Sequence, residues 1–293
     1  NVESAAAAVA RGSPIRAQDV NAHALLRRLY TVLITPASGL LDGIAQLTVV
    51  PHGPAHHVPF HGLHDGLGFL LERAEIRYAP CAGLLEYFAA RRREATGVGA
   101  LALAFSPNGA LPHAEHEGDA VVAALGGRLL RDAEATGAHL RQLADQFAVL
   151  HLATHGAFHP DEPLLSSLDL SDGRITTLDV FELDLRCSLV TLSACETALG
   201  AEGAGDELMG LSRAFLYAGA PALVLSLWKV EDRSTAALME RFYHGLAAGL
   251  GIGSALRQAQ LALLRHETAL GDHAAAPYFW APFQLIGDPG PLA

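Results

Sequence analysis

Phe147-Ala-Val-Leu-His-Leu-Ala-Thr-His155-Gly156 and Ser188-Leu-Val-Thr-Leu-Ser-Ala-Cys195-Glu196-Thr197 are the two stretches that decide the fold. Each is a short apolar run that stops at a polar, reactive side chain. An apolar run of roughly 4–8 residues bounded by turn signals suits a fully buried parallel strand. In open α/β sheets, sites form just beyond the carboxyl ends of the strands. If the two strands are parallel neighbours, His155 and Cys195 emerge on the same sheet edge. There an imidazole can act as the base for a thiol nucleophile.

Strand and helix patterns alternate outward from this pair. Upstream, residues 100–105 and 128–130 read as strands, and 115–125 and 138–146 as helices. Downstream, strands are expected at 167–170, 221–227 and 280–286, and helices at 177–181, 206–217, 232–246 and 254–264. Nearer the start, a helix over 20–34 is followed by strands at 46–50 and 76–79 and a helix over 81–93. Such alternation predicts an α/β fold with a mostly parallel central sheet flanked by helices. The composition break Thr96-Gly97-Val98-Gly99 suggests two subdomains, 1–95 and 96–293.

The chain has 293 residues, of which 51% are hydrophobic and 17% charged, enough for a substantial core and against global disorder. No apolar run reaches the roughly 18 residues of a membrane span. The net charge of −11 disfavours a nucleic-acid backbone as partner and favours a cationic substrate. Three cysteines without paired spacing argue against a disulfide framework and for a reducing, cytoplasmic setting. The apolar stretch over residues 5–10 is too short for a leader and lacks a basic run before it. Because the chain starts with Asn1, it is expected to be a piece of a longer protein.

Cys195 ends a strand and opens a loop rich in glycine and acid, where a thiol can be reached. Cys81 and Cys187 lack that context and read as structural. A thiol at its free pKa of about 8.5 is barely ionised at neutral pH. His155 can take its proton and later protonate a leaving amine. The backbone N–H groups of Gly156 and Cys195 are the economical candidates for an oxyanion hole. His151, His155 and His159 fall four apart, but on a strand His151 and His155 lie roughly 13 Å apart, too far for one ion. No metal or other cofactor is therefore expected. His52, His56, His57, His61 and His64 crowd an early loop that reads as solvated. Glu196, Glu202, Asp206, Glu207, Glu231 and Asp232 follow the strand ends. Asp206 and Asp232 suit helix N-caps; the alternative is a pocket for a basic side chain. The loop 196–205 is expected to be mobile and to order against substrate or an activator.

His-Leu-Ala-Thr-His155-Gly156 and Leu-Ser-Ala-Cys195-Glu-Thr resemble the two catalytic motifs of the CHAT domain (caspase HetF associated with TPRs), a relative of caspases, separases and gingipains. The likeness extends to Pro51-His-Gly-Pro, Leu71-Glu-Arg73, Tyr78-Ala-Pro80 and Gly210-Leu-Ser-Arg-Ala-Phe-Leu-Tyr-Ala-Gly219. Further matches are Ser226-Leu-Trp-Lys-Val-Glu-Asp232, Met239-Glu-Arg-Phe-Tyr243 and Tyr278-Phe-Trp-Ala-Pro-Phe-Gln-Leu-Ile-Gly287. The resemblance implies a caspase-like fold whose first subdomain is an inactive caspase-like half. It implies a cysteine endopeptidase with His155 as base and Cys195 as nucleophile, acting on a protein or peptide substrate. By likeness to separases, the segment 228–232 borders the pocket for the residue before the cut, with Asp232 the first choice and Glu231 the second. A regulatory partner or TPR repeats outside this chain would control it; nucleic acid and membrane are not expected partners. The rival expectation is a protease-shaped signalling module that cuts nothing.

Overall fold

The computed structural model describes residues 15–109, 111–157, 159, 162–193, 206–228 and 230–293. The chain begins with helix α1 (Ile15–Leu33), strand β1 (Gln46–Val49), the one-turn helix α2 (Leu70–Arg73), β2 (Glu75–Tyr78) and α3 (Leu85–Glu94). It continues through β3 (Ala100–Ala104), α4 (Ala114–Leu125), β4 (Gly127–Arg131), α5 (Gly137–Leu143) and β5 (Val149–Ala153). Next come β6 (Gly156–Ala157), β7 (Ser167–Leu170), β8 (Gly173–Thr176) and α6 (Thr177–Phe181). The rest is β9 (Leu189–Leu192), α7 (Asp206–Tyr217), β10 (Ala222–Ser226), α8 (Asp232–Ala247), α9 (Ile252–Leu264), α10 (Pro277–Trp280) and β11 (Phe283–Gly287).

Eight strands form one sheet in the order β1-β2-β11-β10-β9-β5-β3-β4. Every pairing in it is parallel except β10 with β11. The sheet is thus two parallel blocks of opposite direction that meet at β10 and β11. Strands β3, β5, β9, β10 and β11 are buried along their whole length. That is why they read as unbroken apolar runs: helices cover both faces. The amphipathic α8 buries Leu238, Met239, Phe242, Tyr243 and Leu246 against the sheet.

The break at Gly97 and Gly99 is packed rather than loose. Val98 N–H donates to the Gln146 carbonyl, and the Gly99 carbonyl accepts from Ala148 and Val149. A Cβ on Gly97 would stand 2.1 Å from the Phe147 carbonyl carbon, so only glycine lets the backbones cross there.

Three expectations need correction. The last strand starts at Phe283, not at residue 280: Pro277 opens a single helical turn, and Trp280 Nε1 donates to the Ala275 carbonyl at 3.0 Å. The strand expected at 167–170 is β7, but it belongs to a separate antiparallel sheet, β6-β7-β8; β6 and β8, two and four residues long, are too short to show a period. The early histidine loop is only partly solvated. Phe60, His61, Gly62 and Leu63 are buried, and the Phe60 N–H donates to the Tyr78 hydroxyl at 2.7 Å.

His61 lies 3.1 Å from that same hydroxyl through Nδ1 and is only 3% exposed. Burial pulls its pKa from 6.5 down to about 4, against an opposing hydrogen bond to the Ala281 backbone. The folded value lies below the unfolded one, so the unfolded chain takes up the proton first as pH falls. Stability is therefore expected to drop between pH 6.5 and about 4, by on the order of 3 kcal/mol from this residue. Denaturant melts across that range should show a shallower pH slope in His61→Gln than in the parent chain. An unchanged slope would contradict it.

Candidate active site

Strands β5 and β9 are parallel neighbours, with Val149, Leu150, His151 and Leu152 opposite Leu189, Val190, Thr191 and Leu192. His155 stands three residues beyond Leu152, and Cys195 three residues beyond Leu192. Adjacent strands lie about 4.8 Å apart. The last described position of the β9 run is still in step: Ser193 N–H donates to the Leu152 carbonyl at 3.0 Å. Cys195 lies outside the described residues, as do Glu196, Glu202 and the 196–205 loop; nothing is described of the Asp206 and Glu207 side chains.

The small antiparallel sheet holds the backbone of His155. Thr154 is buried, and its hydroxyl donates to the Asp169 carbonyl. In return the Asp169 N–H donates to the His155 carbonyl at 2.8 Å. Gly156 is buried opposite Leu168 at the start of β6. Arg174 Nε, 3.0 Å from Asp169 Oδ1, braces the hairpin from β8. His155 itself is half-buried at the mouth of this arrangement.

Asp232 enters from β10, the next strand in the sheet, at the start of α8. It is not the N-cap. That position is Glu231, whose carbonyl accepts from the Ser234 and Thr235 N–H groups and hydroxyls. The Asp232 carboxylate instead takes the His113 N–H at 2.6 Å, tying the start of α8 to the start of α4. Glu231 is exposed and Asp232 half-buried. Before them, Trp228 is buried and donates from Nε1 to the Tyr278 carbonyl at 3.1 Å.

The remaining candidates lie apart. Cys187 is buried, and burial pushes its thiol up to about 12, which leaves it inert at neutral pH. Cys81 is exposed rather than packed. His151 turns into the core toward Tyr243 and Glu117, away from any shared site with His155. Among the described residues, no helix is long and apolar enough to cross a membrane.

A large, mostly parallel sheet flanked by helices defines a mixed α/β protein. A CHAT domain profile matches residues 23–288, and the chain belongs to the CHAT domain family. It is 26% identical to human tetratricopeptide repeat protein 28 over 89% of the chain, and 27% identical to the mouse protein over 93%. It spans only 13% and 14% of the length of those relatives. Among solved structures it resembles separase in the Saccharomyces cerevisiae separase–securin complex, with a TM-score of 0.58 and 14% identity over 84% of this chain and 15% of that one. It resembles the Arg-specific cysteine proteinase gingipain R equally well, with a TM-score of 0.58 and 13% identity over 92% of this chain and 67% of that one.

Thr154→Val removes the donor to the Asp169 carbonyl while keeping the side-chain shape. The expected loss is about 1–2 kcal/mol, measured as a shift in denaturant midpoint. An unchanged midpoint would show that this bond does not hold the His155 segment.

Proposed function

We propose that this domain is a cysteine endopeptidase in which His155 and Cys195 act as base and nucleophile. The observation that supports it most is the parallel β5–β9 pairing, whose register leaves both residues three positions past the last paired couple, Leu152 and Leu192. His155 would take the thiol proton, and the thiolate would attack the scissile carbonyl. The N–H groups of Gly156 and Cys195 would hold the oxyanion. The imidazolium would then protonate the leaving amine, and water would hydrolyse the thioester. No cofactor enters this scheme.

A basic side chain before the cut would pair with Asp232, or failing that Glu231. One Asp232 oxygen is already held by His113, which fixes the carboxylate without neutralising it. The solved relative described as Arg-specific points the same way. In this reading residues 1–95 form an inactive caspase-like half and 96–293 the active one, in a cytoplasmic protein. The tetratricopeptide-repeat relatives and the securin complex of separase suggest control by repeats elsewhere in the protein or by a partner.

A peptide-library cleavage profile tests this. Cys195→Ala and His155→Ala are each expected to lose ~10³-fold or more, because nucleophile and base act as a unit. Cys81→Ala and Cys187→Ala should keep their activity. A library left uncut by the parent chain would favour the silent signalling module instead.

The same profile tests specificity. Arg should be preferred to Lys, since its planar fork binds a carboxylate bidentately. Asp232→Asn keeps an oxygen for the His113 N–H but loses the charge. It is expected to slow cleavage after Arg by roughly 10–150-fold, from about 1.5–3 kcal/mol for a charged hydrogen bond. A profile dominated by Leu or Asp before the cut would rule the pocket out.

A further inference from the structure

Four buried polar side chains lie under the strands of the site, and the peptidase reading leaves them unused. His151 on β5 and Thr191 on β9 stand directly opposite each other in the register. Tyr243 of α8 reaches both. Its hydroxyl donates to Thr191 Oγ1 at 2.8 Å and lies 2.9 Å from His151 Nδ1. The other ring nitrogen, Nε2, is 3.4 Å from Oε2 of Glu117 on α4. His151, Tyr243 and Thr191 are fully buried, and Glu117 is 2% exposed. Among the described residues, Glu117 Oε2 and His151 Nε2 have no hydrogen-bond partner, although they stand 3.4 Å apart.

The donor order is constrained. A hydroxyl that gives its proton to Thr191 must accept from His151 Nδ1–H, and the 3.4 Å approach of Nε2 to Glu117 Oε2 then needs one further proton, on the imidazole or on the carboxyl group. Burial holds the Tyr243 phenol well above its usual pKa, with the Glu117 charge adding to the rise against the Thr191 hydrogen bond, so the group stays a donor.

Such a cluster is a poor way to gain stability. Apolar side chains of similar volume often serve as well or better, and a half-satisfied polar group in a core is costly. What it supplies is position. One hydroxyl can meet His151 and Thr191 together only when β5 and β9 are in register, and a one-residue slip would turn either side chain to the opposite face. His151 precedes His155 by four residues, and Thr191 precedes Cys195 by four. We propose that Glu117, His151, Tyr243 and Thr191 are a positioning network that locks the two strands presenting His155 and Cys195. The assignment rests on the dyad reading above.

The test uses a small thiol electrophile, with labelled sites mapped by mass spectrometry, so that no substrate is required. Cys195 of the parent chain should label much faster than the exposed Cys81. Tyr243→Phe should stay folded and slow Cys195 labelling by roughly 10–100-fold, the scale of a misplacement of about 1 Å. With a cleavable peptide, kcat should fall in step while KM stays within about 2-fold, a split that general loosening would not give. Glu117→Leu should behave like Tyr243→Phe. Glu117→Gln keeps a polar partner opposite Nε2 and should recover most of the rate. A folded Tyr243→Phe with parental labelling and kcat overturns the network while leaving the dyad intact. If Tyr243→Phe does not fold, the Glu117 pair decides, and equal rates in Leu and Gln variants overturn it. A parental Cys195 that labels no faster than Cys81 removes the dyad reading, and the network's role with it.

Discussion

The pairing of β5 with β9 is the constraint on which the rest depends. Both strands are fully buried and have no exposed face on which alternation could set their register. A one-residue slip would turn every side chain of either strand to the opposite face, so contacts specific to one register matter here. Two kinds of contact fix it here. At the carboxyl end, Ser193 keeps step with Leu152 through the backbone. In the middle, Tyr243 joins Thr191 to His151. The small hairpin sheet then takes over from β5 and anchors the His155 backbone through Asp169.

The second organising feature is the reversal between β10 and β11. Strands β10, β9, β5, β3 and β4 point their carboxyl ends to one edge; β11, β2 and β1 point theirs to the other. The connections after β3, β5, β9 and β10 all leave from the first edge. That edge gathers His113, His155 and Asp232, and it is there that Asp232 meets the His113 backbone. The reversed block contributes packing instead: Gln284 reaches the Val58 carbonyl, and His61 and Phe60 share the Tyr78 hydroxyl.

Much of this was legible in the sequence, for reasons that differ from element to element. Buried parallel strands announce themselves as apolar runs, so β3, β5, β9 and β10 could be placed within a residue or two. Parallel adjacency of β5 and β9 was an assumption that the register bears out. β7 reads as a strand at 167–170, whereas β6 and β8 are too short to carry a period, and the aromatic run before β11 hides a helical turn behind strand-like composition. Asp232 has an N-cap's composition and position in sequence, but the carboxylate finds a donor on another helix. Glu117 carried a signal that went unused. It shares the buried face of α4 with Ala114, Gly118 and Val121, so helical spacing puts a carboxylate on an apolar stripe. A carboxyl group there needs a buried polar neighbour, and the one that approaches it is Nε2 of His151, at 3.4 Å. Long-range partners of this kind have no local trace in sequence, which is why His151 read only as a possible metal ligand.

Coupling between His155 and Cys195 is the proposed basis of activity, and thiol titration measures it most directly. The rate of Cys195 alkylation should be followed from pH 4 to 10 in the parent chain and in His155→Ala. The account predicts a parental midpoint below the roughly 8.5 of a free thiol, moving up toward that value when the imidazole is removed. Identical midpoints in the two chains would contradict it.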